Sequence, residues 1–226
     1  MNAGDIVARA AWILNDVDHV RWNEAMLLSF LGEAQDQVVL VRPDATARTR
    51  VVGLSAGVSQ SVPQDGLRLL DVRRNMGPDG NTPGRVVQRS DREALDACLP
   101  DWRSDAQGGG VRLWVHDERH PRDFQVWPGR AADAQWHVEI VFSAVPAPPA
   151  AGEEVLDLDA CFAGPMLDFV LHRAFAVDGG SAAGRERSMA HLEAFMRGLN
   201  AKLSGDMLVS GVATGTSPNA AARSAS

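Results

Sequence analysis

Residues 24–53 read EAMLLSFLGEAQDQVVLVRPDATARTRVVG, and the period of the apolar residues changes inside this stretch. From Glu24 to Val41, residues Leu27, Leu31, Ala34, Val38 and Val41 recur at steps of three and four, which puts them on one face of a helix. Asn23 suits the N-cap, because its side chain can accept a bond from an unpaired N–H of the first turn. Trp22 and Leu27 occupy the two positions of a hydrophobic staple. Pro43 ends the helix, since the residue before a proline is pushed out of the helical region. Beyond it the sequence turns to short extended runs, of which Thr49–Val52 is the first.

Working outward, Ile6, Ala10, Ile13 and Leu14 predict a helix from Asp5 to Leu14, broken by Asn15-Asp16. Downstream, Val58–Val62, Leu67–Val72 and Arg85–Gln88 are bounded by Gly, Pro, Asn and Asp and read as strands. Ser90-Asp91-Arg92-Glu93 is a capping box opening a short helix through Leu95 and Leu99, which Pro100 ends. Gly108-Gly109-Gly110 is a loop. Val111–Val115 and Phe124–Trp127 flank the polar stretch Asp117 to Arg122 as a hairpin. The last strand, Trp136–Phe142, puts Trp136, Val138, Ile140 and Phe142 on one face.

Pro146 to Gly152 is a linker. Helical spacing then returns in Leu158, Phe162, Met166, Phe169 and Val170, with Pro165 at a kink or restart. Asp178-Gly179-Gly180 makes a turn. The final helix, Arg185 to Leu203, carries Met189, Leu192, Met196, Leu199 and Leu203, with Gly205 placed to end it.

The expected fold is therefore α+β. Residues 1–44 and 153–205 are expected to form a helical bundle built from the N- and C-terminal helices. Residues 45–145 form a β-rich insertion, and 206–226 an extended C-terminal arm too polar to bury itself alone.

The chain has 226 residues, 45% of them hydrophobic and 23% charged, which fits a folded protein with a sizeable core. Its net charge of −7 and pI near 5.3 argue against a surface that grips a nucleic-acid backbone. An acidic wall would instead repel DNA and let it slide. Cys98 and Cys161 stand far apart in no metal-like spacing and read as reduced thiols in the cytoplasm. Asp5, Arg9 and Asp16 interrupt any signal-peptide pattern, and no apolar run approaches the roughly 20 residues of a membrane span.

Candidate chemistry is thin. Gly53-Leu54-Ser55-Ala56-Gly57 matches the G-x-S-x-G nucleophile elbow, but that motif needs a helix after the serine. Here an extended run broken by Pro63 follows, so a glycine-rich hairpin turn is expected. His116 and His120, with His137 as a third ligand, could suit zinc, but two histidines four apart converge only on a helix, and these sit at a hairpin tip. His172 and His191 fall on the late helices and read as packing residues. Glu153, Glu154, Asp157 and Asp159 precede a helix, where its dipole favours carboxylates. The six tryptophans read as core residues. No phosphate loop, dinucleotide fingerprint or zinc ribbon occurs, so no catalytic residue, metal or cofactor is expected.

Several stretches in order resemble the head-to-tail adaptor proteins of short-tailed bacteriophages. They are Asp18-His19-Val20-Arg21-Trp22 before Leu27-Leu28, then Glu33-Ala34-Gln35 and Arg42-Pro43-Asp44-Ala45. Gly57 to Gly66 and Leu70-Asp71-Val72-Arg73-Arg74-Asn75 follow. Leu95-Asp96, Pro100-Asp101-Trp102 and Pro121 to Pro128 continue the series, and Arg173-Ala174-Phe175 and Gly205 to Ser210 complete it. One departure is that Ser210 is separated from Ser217-Pro218-Asn219, which these proteins often carry close behind the Met-rich patch. The resemblance implies a structural, non-enzymatic virion component assembled in the host cytoplasm. It further implies a dodecameric ring beneath the portal protein, carrying the tail nozzle protein and surrounding the path of the DNA without specific binding. On this reading Met207, Leu208, Val209 and Val212 are the residues expected to anchor the arm in a portal groove. The alternatives are another phage neck or tail-completion protein and, from a different class, a small serine hydrolase using Ser55.

Overall fold

The computed structural model describes residues 1–105, 109–177 and 181–209. The chain divides into two compact units. One comprises residues 1–34, 150–154 and those from 160 onward; the other comprises residues 35–149 and 155–159.

The first unit is helical. Helix α1 (Ala3–Ile13) buries Ala3, Ile6, Val7, Ala10 and Ala11. Helix α2 (Glu24–Val41) begins as expected, with the Met26 amide donating to Asn23 Oδ1 at 2.8 Å. Trp22 and Leu27 are both buried. A 3-10 turn, Ala160–Phe162, leads into α4 (Ala163–Val177), so Pro165 sits in a first turn that needs no donor there. Helix α5 (Ala182–Val209) packs along α4, and α1 packs on α4 as well. Ser188 Oγ donates to the His172 carbonyl, His191 Nδ1 lies 2.9 Å from Asp168 Oδ1, and Gly198 faces Pro165. The partners run in opposite directions along the chain, so α4 and α5 form an antiparallel hairpin.

The second unit is a β-sandwich. Strands β1 (Ala47–Gly53), β7 (His137–Ala144) and β3 (Gly66–Asn75) form one antiparallel sheet in the order β1-β7-β3. The other sheet has the order β2-β6-β5-β4, from β2 (Gly57–Ser61), β6 (Asp123–Arg130), β5 (Leu113–His116) and the two-residue β4 (Gln88–Arg89). Val138, Ile140, Phe142 and Ala144 alternate along β7 into a core shared with Trp114, Phe124 and Val126 of the second sheet. On β3 the buried residues are Gly66, Leu69 and Val72, each three apart, because bulges break its register against β7. The outer face of the second sheet carries α3 (Arg92–Cys98), whose Leu95 packs with Trp102 and Val115. The cap of α3 is Asp91, accepting from the Glu93 amide, rather than Ser90.

The α+β class holds, but the helices are not arranged as a bundle of terminal helices. Helix α2 passes from the helical unit to the β unit between Ala34 and Gln35. In the β unit, the fully buried Gln35 donates to the Ala147 carbonyl at 3.1 Å. An apolar stripe says that a face is buried, not against what.

The arm is corrected too. Helix α5 runs through Gly205 to Val209, so 206–209 is helical rather than extended. Residues 210–226 lie outside the described residues, as do those of the Asp178 turn. The expected stripe of α5 is also misplaced. Gly184, Ser188, Phe195 and Leu199 are its buried line, while Met189 and Met196 stay exposed.

The α4–α5 contact requires a residue without a side chain. A Cβ on Gly198 would lie 2.8 Å from Pro165 Cγ, in a rigid ring. Gly198→Ala should therefore lower the melting temperature, although alanine favours a helix by about 1 kcal/mol. Thermal unfolding followed by circular dichroism reads the sign. A raised melting temperature would show that the two helices can separate at no cost.

Candidate assembly surfaces

Most of the segments that sequence reasoning weighed for catalysis are held by structural contacts. The Gly53–Gly57 segment is the turn between β1 and β2, closing on Gly57 at a φ of +86°. The buried Gln60 locks it. The Ser55 amide donates to Gln60 Oε1 at 2.7 Å, and Gln60 Nε2 donates to the carbonyls of Ser55 at 2.9 Å and Gly57 at 3.1 Å. Strand β2 follows, so no helix N-terminus stands behind Ser55.

The histidines do not converge. His116 Nε2 lies 3.2 Å from the Pro121 carbonyl, at the base of the β5–β6 hairpin. His120 is exposed at the tip, and His137 Nδ1 lies 3.2 Å from the Gly77 carbonyl on the other sheet. Among the described residues no group of three or more His, Cys, Asp or Glu side chains could hold a metal ion. His172 and His191 join α4 to α5, and Phe175 stacks on His191. Of the acidic group, Glu154 accepts from the Ala150 amide, and Asp157 pairs with Arg48 at 2.8 Å. A broad polar hollow of about 1220 Å3 lies beside the hairpin tip, lined by Ser59, Arg89, Glu93, Arg119 and His120 among others.

Sequence reasoning missed the segment between α1 and α2. Asn15 and His19 adopt left-handed φ values of 54° and 53°, which non-glycine residues seldom take. A single carboxylate holds the loop. Asp16 accepts from the amides of Val20, Arg21 and Trp22 at 2.8 to 2.9 Å. These bonds, the Trp22 amide first, hold its carboxyl below the ordinary carboxylate value. The loop so fixed presents Val17 and Val20 to solvent, next to an exposed Trp12. Trp12 is thus no core residue. The available signal was two valines among polar neighbours after a helix-breaking Asn-Asp.

The profile of a family described as SU10 adaptor protein matches residues 1–220. The chain belongs to the SU10 adaptor protein family. No curated protein matches it. As a member of this family it is a phage structural adaptor and a virion component that interacts with other head or tail proteins. This family is not an enzyme class. For an adaptor, function lies in surfaces. Met207, Leu208 and Val209 form the last turn of α5, while Val212 lies outside the described residues.

The clasp makes a pH prediction for this adaptor. A carboxyl with a depressed folded pKa stabilises the loop fully above its unfolded value, and that contribution is lost as pH falls through the lower folded value. The Val20–Trp22 amide resonances should therefore hold constant near neutral pH and titrate with a midpoint below the ordinary 3.8. In Asp16→Ala the same resonances should lose their dispersion at every pH. A wild-type midpoint above 3.8 would contradict the clasp.

Proposed function

We propose that this adaptor forms a ring that joins the portal protein to the tail nozzle, with the genome passing through its channel. The observation that carries this reading is a family match spanning nearly the whole chain, 1–220. A part that surrounds DNA without reading it needs no basic face, and the net charge of −7 suits a wall that repels phosphates. The ring is dodecameric on this reading, in a virion assembled in the host cytoplasm.

The end of α5 supports the portal contact. The 28-residue helix carries Met207, Leu208 and Val209 to its last turn, with Val212 three residues on. Met and branched aliphatic residues are the kind that anchor a helix or segment in an apolar groove. These four residues are the portal anchor in this proposal.

Co-sedimentation with purified portal rings tests it. The unmodified chain should saturate the rings at a near-equal subunit ratio. A chain lacking 206–226 should fold, because the α4–α5 contacts at Pro165–Gly198 and His172–Ser188 lie well before the cut, yet fail to bind. Undiminished binding by the truncated chain would remove the anchor. No binding by the unmodified chain would remove the portal from the proposal.

A further inference from the structure

The β unit holds a cleft that the proposed ring does not use. It consists of two hollows, which adjoin because Asn75, Gly77, Gly109 and Gly110 line both. One, of about 330 Å3, is lined by Arg85, Arg112 and Thr82. The other, of about 370 Å3, is lined by Pro78, Ala134, Trp136 and His137.

One side chain builds the walls. Asn75 Nδ2 donates to the carbonyls of Arg85 at 3.0 Å and Val111 at 2.8 Å, and Asn75 Oδ1 accepts from the Val111 amide at 2.8 Å. The Asn75 backbone is bonded to Arg85 and Gly84 as well. The segments that carry the two arginines are therefore fixed to one residue, and the cleft is formed before any ligand arrives. Gly110 is required there, because it has a φ of +130° and a Cβ on it would lie 2.9 Å from Asn75 Oδ1. At Gly109 a Cβ would meet nothing within 4 Å, so the missing side chain leaves open space in the cleft.

The charge of the cleft has one sign. The chain carries 29 acidic residues against 22 basic, yet no carboxylate lines either hollow. The one acid of the 77–84 loop, Asp79, is spent in its own turn, accepting from the amides of Asn81 and Thr82 and from the Thr82 hydroxyl. Arg85 and Arg112 are exposed, and neither has an ion-pair partner among the described residues. The Arg112 guanidinium lies 5.8 Å from the centre of the Trp127 ring, which orients it without neutralising it. Two such guanidiniums on fixed segments select an anionic group. The Pro78–Ala134–Trp136 hollow beside them selects an apolar one.

We propose that this cleft binds an acidic segment of another virion protein, with a carboxylate held by Arg85 and Arg112 and an adjoining bulky apolar side chain against Trp136. A protein segment is the occupant because this family interacts with other head or tail proteins. A nucleic-acid strand would instead need a row of cations along its backbone, and the cleft has one pair. Nothing in this assignment depends on the portal contact at the end of α5.

Nuclear magnetic resonance on the 15N-labelled full chain tests it. The probes are N-acetyl-aspartyl-phenylalanine amide, its neutral asparaginyl counterpart and a thymidine oligonucleotide. The acidic dipeptide should shift the amides of Gly109 and Gly110 and the Trp136 indole N–H. It should bind about tenfold more tightly than the neutral one. Replacing both arginines, Arg85→Gln with Arg112→Gln, should remove that preference and leave the neutral dipeptide's affinity unchanged. Gly109→Phe, which fills the cleft at a position without a clash, should abolish the shifts from both dipeptides. Circular dichroism establishes that the variants fold. The inference is overturned by unshifted Gly109, Gly110 and Trp136 at millimolar dipeptide, by equal affinity for the acidic and neutral probes, or by a preference that survives loss of both arginines. Tighter binding of the oligonucleotide at the same residues overturns it too and assigns the cleft to phosphates.

Discussion

Strand β7 is hydrogen-bonded on both sides, to β1 along its whole length and to β3 through three register shifts. One of its faces supplies Val138, Ile140, Phe142 and Ala144 to the sandwich core, all fully buried. Its other face is closed as well. Thr46, at the end of the 3-10 turn Pro43–Thr46 after α2, donates to the Ala144 carbonyl at 2.7 Å and meets the buried Ser143 hydroxyl at 3.3 Å. A one-residue slip would put Ser143 into the apolar core and drive Phe142 into the closed face beside Thr46. The alternation of β7 therefore fixes the register of its sheet and, through the shared core, the position of the second sheet and of α3 above it.

The helical unit is built on a different logic. Helix α4 packs on both α1 and α5, and α5 spends only a narrow line of Gly184, Ser188, Phe195 and Leu199 on that contact. A 28-residue helix paired on one side leaves much of its described surface exposed. The same holds for the loop after α1, where a strained and well-bonded backbone displays apolar side chains. In an enzyme the unusual backbone and unpaired polar groups would gather around a pocket. Here the serine turn is locked by Gln60, four of the weighed histidines make hydrogen bonds or ion pairs, and the unusual backbone supports a surface. That distribution suits a structural adaptor.

Much of the fold was legible because periodicity reports which face is buried. The Glu24–Val41 helix, its Asn23 cap, the β5–β6 hairpin and the inward face of β7 all follow from spacing and cap chemistry. What spacing does not report is the partner. Helix α2 keeps one stripe from Leu27 to Val38, yet its two halves belong to different units, so a bundle of terminal helices does not form. Gly205 looked like a helix end, but glycine only permits termination, and α5 continues to Val209. On α5 the methionines and leucines made the obvious stripe, while Ser188 and Gly198 were the residues that allowed close approach to α4. The exposed loop after α1 was invisible for a related reason. A tryptophan is assumed to be core, and no local pattern shows that Asp16 will gather three amides and turn its neighbours outward.

The most direct measurement is hydroxyl-radical footprinting of Met207 in the free chain and in its complex with portal rings, since methionine oxidises readily where water reaches it. The proposed portal anchor requires its rate to fall severalfold on binding, while that of the exposed Met189 serves as a reference. Unchanged oxidation of Met207 in the complex would contradict the proposal that the end of α5 holds the adaptor to the portal.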